Sequence, residues 1–266
     1  MRLMLSAAVA ALIASPAHAQ LAAPNASGVT FAHVHLNVAD MEFHKNLWVE
    51  QFGGVLVQKG PLVTVRFPNF LIALQGRAPT GDSQGSIMDH FGFKVRNMAV
   101  ALEKWRAAGL PVGREFMGAE GQKNAYVMAP DGIRVELQED PELENEVEGY
   151  HVHFFTEQFE ELLDWYVDMF SLRKGPRGNI ETTAWAPGQN LSFAGTQTER
   201  AATQGRAIDH IGFEVEDLKS FVEMMESRGV TFDLGYTEIA SIELKIAFFT
   251  DPSGVRVELT EGFDKY

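Results

Sequence analysis

One strand pattern occurs four times in the chain, and this repetition constrains the fold more than any other feature. The four copies contain His33, His90, His151 and His210. In each copy, apolar and non-apolar residues alternate, which is the period of a strand with one buried face. The histidine takes the first non-apolar position each time, so four of the 8 histidines occupy equivalent places.

Helical spacings of apolar residues follow the strands, most clearly at 159–170 and 218–225. A glycine then ends the helix in three copies, at Gly53, Gly109 and Gly229. Short apolar runs typical of strands come next. The repeating unit is therefore predicted to be one strand, one helix and two or three further strands.

A longer period groups these units into pairs, because equivalent residues of the two halves lie about 120 positions apart. The acidic, proline-containing stretch 139–148 is predicted to be the linker. The sequence thus predicts an α+β protein of two domains, each with two modules. The predicted domains are 28–139, with modules 28–76 and 87–139, and 149–262, with modules 149–196 and 207–262.

Each half contains two histidines and one glutamate in similar register. The sets are His33, His90 and Glu136 in the first half and His151, His210 and Glu258 in the second. Two imidazoles and one carboxylate can hold one face of a divalent metal and leave positions open for a ligand. A lone histidine on a strand more often has a purely structural hydrogen bond, but four equivalent histidines and two matched glutamates favour metal binding.

The order His-x-x-Leu-x-Val, Asp-His-x-Gly-Phe-x-Val and Asp-Pro-x-Gly-x-x-x-Glu-Leu resembles the vicinal oxygen chelate superfamily, which includes glyoxalases, bleomycin resistance proteins and extradiol dioxygenases. The resemblance runs from about Gly28 to Gly262. It implies βαβββ modules paired into two domains with curled mixed sheets. It also implies one divalent metal per domain (zinc, manganese, nickel or iron(II)), held by the six residues named above, and a small oxygenated substrate.

The sequence departs from the glyoxalase I pattern at the position of a fourth ligand. Ala73 stands where a carboxylate is expected in the first module, and the run 191–194 also lacks one. Ordinary glyoxalase I activity is therefore not expected. A glyoxalase-like lyase or isomerase reaction and extradiol-type ring cleavage both stay open.

Three further residues are candidates for catalysis. Tyr126 lies where extradiol enzymes often carry a tyrosine, and Phe248 takes the same place in the second half. His35 and His153 each follow a predicted ligand by two residues on the same strand face. For both histidines, a role that is limited to a hydrogen bond with a neighbour or a carboxylate is favoured.

Composition excludes several other functions. The chain has no cysteine, so thiolate ligands, a cysteine nucleophile and disulfides are excluded. The net charge of -14 and the lack of a basic cluster argue against nucleic acid and membrane surfaces as partners. A monomer and a homodimer are both compatible with the sequence.

The N-terminal residues predict export. Arg2 precedes an apolar run at 3–15, and the triplet Ala17-His18-Ala19 is typical of a cleavage site. Residues 1–19 are therefore predicted to be a signal peptide, with the periplasm as the destination.

Two kinds of function remain open. The chain is either a metal-dependent enzyme or a binding protein that sequesters a small molecule in the same cup without a reaction. A variant of the first hypothesis keeps one half active and makes the other structural.

Overall fold

The computed structural model describes residues 21–266. The predicted signal peptide lies outside the described residues. Within the described part, no helix is both long enough and apolar enough to span a membrane.

Four modules of one strand, one helix and three strands follow each other along the chain. The first contains β1 (Val29–Val38), α1 (Met41–Phe52), β2 (Val55–Lys59), β3 (Leu62–Phe67) and β4 (Phe70–Gly76). The second contains β5 (Met88–Val95), α2 (Met98–Ala107), β6 (Val112–Met117), β7 (Lys123–Ala129) and β8 (Ile133–Glu139). The third contains β9 (Val147–Phe155), α3 (Phe159–Phe170), β10 (Arg173–Lys174), β11 (Thr183–Ala186) and β12 (Gln189–Ala194). The fourth contains β13 (Ile208–Val215), α4 (Leu218–Ser227), β14 (Phe232–Ile239), β15 (Leu244–Thr250) and β16 (Arg256–Glu261).

Local sequence explains where the helices begin and end. The side chains of Asp40, Asn97 and Asp217 each accept a hydrogen bond from the backbone N–H three residues later, which caps α1, α2 and α4. Gly53 ends α1 with a φ of 71°, a left-handed conformation that glycine adopts without strain. The predicted α+β class and the four βαβββ modules are confirmed.

The strands form two eight-stranded mixed sheets, and each sheet combines two modules. The first sheet has the order β14-β15-β16-β13-β1-β4-β3-β2, and the second has the order β10-β11-β12-β9-β5-β8-β7-β6. Antiparallel pairs of first strands, β1 with β13 and β5 with β9, join the modules at the centre of each sheet.

This pairing corrects the predicted domain organisation. The first sheet combines the first module with the fourth, and the second sheet combines the second module with the third. Each sheet therefore takes one module from residues 28–139 and one from residues 149–262. The reason is that all four modules offer a similar first strand as their pairing edge, so the repeat by itself does not specify which two edges meet.

The two faces of each sheet have different surroundings. The helices and the alternating apolar residues of the strands form one extended core with fully buried Trp48, Trp105, Tyr166, Phe93 and Phe213. The opposite face of each sheet carries the histidines. We call these faces the first and the second cup, after their sheets.

Candidate metal centres

Two groups of buried metal-ligating side chains lie in the two cups. The first cluster consists of His33, His35, His210 and Glu258, and the second consists of His90, Glu136 and His151. Within each cluster, one ligand atom per residue lies within 4.8 Å of all the others. The first cluster takes its side chains from the first and fourth modules, and the second cluster takes its side chains from the second and third modules.

All six predicted ligands lie in these clusters, but the predicted sets are wrong. His33 was expected beside His90 and Glu136, whereas it lies beside His210 and Glu258. In the same way, His151 lies beside His90 and Glu136 instead of His210 and Glu258. The exchange follows directly from the module pairing of the sheets.

In the first cluster, two imidazoles point at one carboxylate oxygen. His33 Nε2 and His210 Nε2 lie 2.9 and 3.1 Å from Glu258 Oε2. The His35 ring adds a fourth possible metal ligand, and its centroid lies 4.4 Å from that of His210. Although burial raises the pKa of Glu258, the hydrogen bonds with His210 and His33 hold it far below its ordinary value. The carboxylate is therefore ionised.

The second cluster has a similar arrangement with three possible metal ligands. His90 Nε2 lies 2.9 Å and His151 Nε2 lies 3.6 Å from Glu136 Oε2. Asn124 Nδ2 donates to the other carboxylate oxygen and fixes its orientation. Burial, and then the positive charge of Arg177, lower the pKa of His151 to about 4, so its imidazole is neutral.

An aspartate holds the outer nitrogen of one histidine in each cluster. His90 Nδ1 donates to Asp89 Oδ1 at 2.9 Å, and His210 Nδ1 donates to Asp209 Oδ1 at 2.6 Å. Arg134 binds the same oxygen of Asp89 at 2.7 Å. Although burial raises the pKa of Asp89, the hydrogen bond from His90 and the charges of His90 and the two nearby arginines together keep it below its ordinary value.

These contacts fit a divalent metal. With Nδ1 of His90 on Asp89, its Nε2 faces the ionised Glu136, and the contact requires a proton on Nε2, for which the two carboxylates raise the pKa of His90 against the opposing effect of burial. A divalent cation can replace that proton, and a carboxylate behind the other nitrogen is the usual support of a metal-bound histidine. Several nitrogens of the clusters also lack a partner although they are buried, among them His33 Nδ1, His35 Nε2 and both ring nitrogens of His151.

A glycine in each sheet makes room for the histidine of the neighbouring module. Gly212 on β13 pairs with His33 on β1, and a Cβ at Gly212 would lie 1.9 Å from His33 Cε1. The imidazole therefore lies across the neighbouring strand at the one position that has no side chain.

The three predicted catalytic residues also lie at the clusters. Tyr126 pairs with Glu136 across β7 and β8, and its ring centroid is 5.2 Å from that of His90. His35 belongs to the first cluster. The His153 ring lies 5.0 Å from that of His90, and neither of its nitrogens has a hydrogen-bond partner among the described residues. Their roles in a reaction stay predictions.

The two cups differ in their lining. The first cup contains an apolar patch, into which the C-terminal residues Phe263 and Tyr266 pack, together with the polar side chains of Arg66, Glu214 and Thr260. The Phe263 ring lies 4.6 Å from that of His33. Its apolar residues include Leu71, Ala73, Ile242, Leu244, Phe263 and Tyr266. The second cup presents buried or half-buried polar side chains on the strands and loop around the cluster, including Gln122, Asn124, Gln138, Asn190 and Ser192.

Two surface cavities lie apart from the clusters. They measure about 430 and 410 Å³ and lie beside the N-terminal stretch that starts at Leu21. Neither cavity is lined by a histidine, so the two cavities are not part of the candidate metal centres.

Sequence reasoning missed several residues that shape the clusters. The repeated Asp-His-x-Gly carries both the aspartate and the glycine, so the repeat itself contained this information. Arg177 and Phe263 come from segments without a counterpart in the other half, and no pattern pointed to them.

Residues 150–259 match the family model described as Glyoxalase/Bleomycin resistance protein/Dioxygenase superfamily. A comparison with curated proteins found no match.

Solved structures match over most of the chain. Glyoxalase I from Zea mays has 19% sequence identity and a TM-score of 0.69, and the match covers 89% of this chain and 94% of that chain. A variant of glyoxalase I from Zea mays has 18% identity and a TM-score of 0.70, with 90% and 95% coverage. A dioxygenase candidate from Bacillus subtilis subsp. subtilis strain 168 has 14% identity and a TM-score of 0.68, with 92% and 88% coverage. At these identities the likeness concerns the fold, and it confirms the fold predicted from the repeats.

Proposed function

We propose that the chain is a member of the glyoxalase, bleomycin resistance protein and dioxygenase superfamily, whose family model matches residues 150–259, and that it is a divalent-metal-dependent enzyme whose reaction takes place at the second cluster. The observation that carries this proposal is the combination of His90, Glu136 and His151 with a polar cup beside them. Three protein ligands leave coordination positions for a substrate, as in catalytic metal sites.

The contrast between the clusters supports the choice of the second. The first cluster offers four possible ligands, and Phe263 packs against one of them, His33. Four protein ligands are typical of structural metal sites. We therefore assign the first cluster to a metal that stabilises the fold, and the second to a metal that meets substrate.

In the second cluster, His90, Glu136 and His151 would hold the ion. When bound, the metal supplies a Lewis acid that chelates two neighbouring oxygens of the substrate and stabilises the negative charge that develops on them. The protein provides the orientation of its ligands, because Asp89 fixes the His90 ring and Asn124 fixes the Glu136 carboxylate.

Two side chains beside the cluster can move or hold a proton. His153 has two nitrogens without a partner among the described residues, and burial holds its pKa well below its ordinary value. Its neutral imidazole can therefore accept a hydrogen bond from a substrate hydroxyl and receive a proton when that hydroxyl becomes acidic on the metal. Burial, and then the charge of Glu136, raise the pKa of the Tyr126 phenol, so its O–H serves as a hydrogen-bond donor to a developing oxyanion. Phe248 takes the equivalent position in the first cluster and offers no such donor.

The reaction classes that fit this arrangement are a glyoxalase-like lyase or isomerase step and ring cleavage of a catechol. Both need a substrate with two adjacent oxygens. Identification of the bound metal separates them, because ring cleavage needs redox-active iron(II), whereas proton transfer requires only a Lewis acid.

Export is part of the proposal. Residues 1–19 predict transfer to the periplasm, where the chain would acquire its metal after folding. Detection of the mature protein in the periplasmic fraction, with a new N-terminus near Gln20, tests this location.

The function is tested with mature protein purified from its native compartment. Elemental analysis gives the metal and its stoichiometry, and turnover is measured with hemithioacetals of diketones and with catechols. Glu136→Ala and Glu258→Ala form the matched pair. We expect Glu136→Ala to abolish turnover and Glu258→Ala to lower thermal stability while some turnover remains.

Two outcomes would contradict this proposal. Equal loss of turnover in both variants contradicts the division between the clusters. Tight binding of a small molecule without turnover, unaffected by a chelator, identifies the chain as a sequestering protein instead.

A further inference from the structure

Arg177 is a buried cation in the second cup. It lies in the eight-residue loop 175–182 between β10 and β11, and only 2% of its surface is exposed. Its Nε donates to Ser192 Oγ at 3.2 Å, and its Nη1 donates to Gln138 Oε1 at 3.4 Å. The guanidinium also lies 5.6 Å from the centre of the Tyr150 ring.

No carboxylate neutralises this charge. Among residues 21–266, no Asp or Glu oxygen lies within 4.0 Å of the Arg177 guanidinium, and its Nη2 has no hydrogen-bond partner. Glu120 is exposed at the rim and reaches Arg177 only indirectly, through Gln138 and Tyr150, which donate to Glu120 at 2.6 and 2.8 Å. A buried charge without a counterion is costly, so the missing anion is expected to come from a ligand.

Three other arginines near the clusters each form an ion pair with an aspartate. Arg134 and Arg200 bind Asp89 at 2.7 and 3.2 Å, and Arg256 binds Asp209 at 3.1 Å. The two aspartates in turn accept hydrogen bonds from His90 and His210. Arg177 has no such carboxylate partner.

The position of Arg177 places it within reach of a small molecule on the second cluster. Its partner Ser192 lies beside His153 in the register of β12 and β9. Its other partner, Gln138, follows Glu136 by two residues and therefore shares its strand face. Gln122, whose two amide atoms are buried without a partner, adds a donor and an acceptor in this cup.

The first cup has no arginine at the corresponding place. Ala73 takes the place of Ser192 beside His35, and the two residues Gly60 and Pro61 form the turn that replaces the Arg177 loop. Arg66 on β3 of the first cup also lacks an ion pair among residues 21–266, but it is only half-buried and lies beside Leu71 and Tyr266. Arg177 is the more deeply buried of the two, and it lies in the cup to which we assign the reaction.

We propose that the second cup takes a small oxygenated carboxylate, and that Arg177 binds the carboxylate while the adjacent oxygens of the ligand face His90, Glu136 and His151. The part about adjacent oxygens rests on the function proposed above. A planar guanidinium matches a carboxylate with two parallel hydrogen bonds, and a single arginine suits one carboxylate better than a phosphate, which usually recruits several donors.

Two catechols that differ only in the presence of a carboxylate test whether Arg177 recognises this charge. Zinc-reloaded protein is titrated calorimetrically with 3,4-dihydroxybenzoate and with 4-methylcatechol, which carries a methyl group in place of the carboxylate. We expect the wild-type protein to bind the carboxylate probe roughly tenfold to a hundredfold more tightly. Arg177→Met removes this preference and leaves the affinity for 4-methylcatechol within about a factor of two.

Arg173→Met is the matched control, since Arg173 is exposed on the neighbouring strand and stacks on Trp185. It is expected to retain the wild-type preference. Circular dichroism and metal content check that Arg177→Met is folded and loaded. If this variant does not fold, Arg177→Lys replaces it, and a reduced preference is expected because an ammonium does not make the paired hydrogen bonds.

Equal affinity of the wild-type protein for the two probes, a preference that survives in Arg177→Met, or no binding of either probe overturns the assignment of Arg177. Failure of the proposed metal function gives a different result. In that case the carboxylate preference remains, but removal of zinc with a chelator leaves both affinities unchanged.

Discussion

Gly92 on β5 and His151 on β9 lie opposite each other in the second sheet, and the imidazole of His151 occupies the space above Gly92. A Cβ at Gly92 would lie 2.1 Å from His151 Cε1, far inside van der Waals contact. The glycine of the Asp-His-x-Gly repeat is thus required by a histidine that comes from another module.

Gly92→Ala is therefore expected to displace the His151 ring and to remove one of two bound metal equivalents, at a cost of about 1–3 kcal/mol in stability from overpacking. Metal analysis and chemical unfolding measure both effects. Gly235→Ala is the control, because a Cβ at Gly235 meets no atom within 4 Å. Retention of both metals in Gly92→Ala would show that His151 is not a ligand.

The exchanged pairing of the clusters predicts the metal content of double variants. His90→Ala with His151→Ala removes two ligands of the same cluster, so one equivalent is expected to remain. His90→Ala with His33→Ala damages both clusters, so both equivalents are expected to be lost. Elemental analysis of the two proteins decides between this pairing and the pairing by sequence halves, which predicts the reverse.

Asp89→Asn tests the support of the second cluster. The substitution keeps the size of the side chain but removes the charge that accepts from His90 Nδ1. We expect the affinity of the second cluster for zinc to fall roughly tenfold to a hundredfold, as measured by competition with a chromogenic chelator. Asp164→Asn, at an exposed position that pairs with Lys174, is expected to change nothing. An unchanged affinity in Asp89→Asn would exclude this role for the carboxylate.

Glu214 makes the stability of the metal-free protein depend on pH. Its carboxylate accepts from Thr260 Oγ1 and from the backbone N–H groups of Gly262 and Phe263, which anchors the C-terminal turn in the first cup. Burial raises the pKa of Glu214 to about 7 from its ordinary value of 4.5. Between these values the folded protein keeps a proton that the unfolded chain has released, so stability falls as pH rises and stays level above about pH 7.

Glu214→Gln removes this contribution while keeping an acceptor for the two backbone N–H groups. Urea unfolding with chelator present should show that the wild-type protein loses up to about 3 kcal/mol more than the variant between pH 4.5 and pH 7.5. Because other groups titrate equally in both proteins, the difference between the two profiles isolates Glu214. Parallel profiles contradict the prediction.

The sequence by itself determined the modules and the chemistry of the site. Alternation of apolar residues specified the first strand of each module, and the repeated histidines and glutamates identified all six buried side chains of the predicted ligand sets. This information is local, because a strand's period and a residue's position on its face depend only on neighbours in the chain.

Only the tertiary structure decided which modules share a sheet. The first strands of all four modules present similar edges, so pairing β1 with β5 or with β13 satisfies the same local pattern. The choice depends on long-range packing, including the fit of His33 over Gly212. For the same reason, the packing of Phe263 in the first cup and the burial of Arg177 in the second arise from contacts between distant segments, which no local pattern encodes.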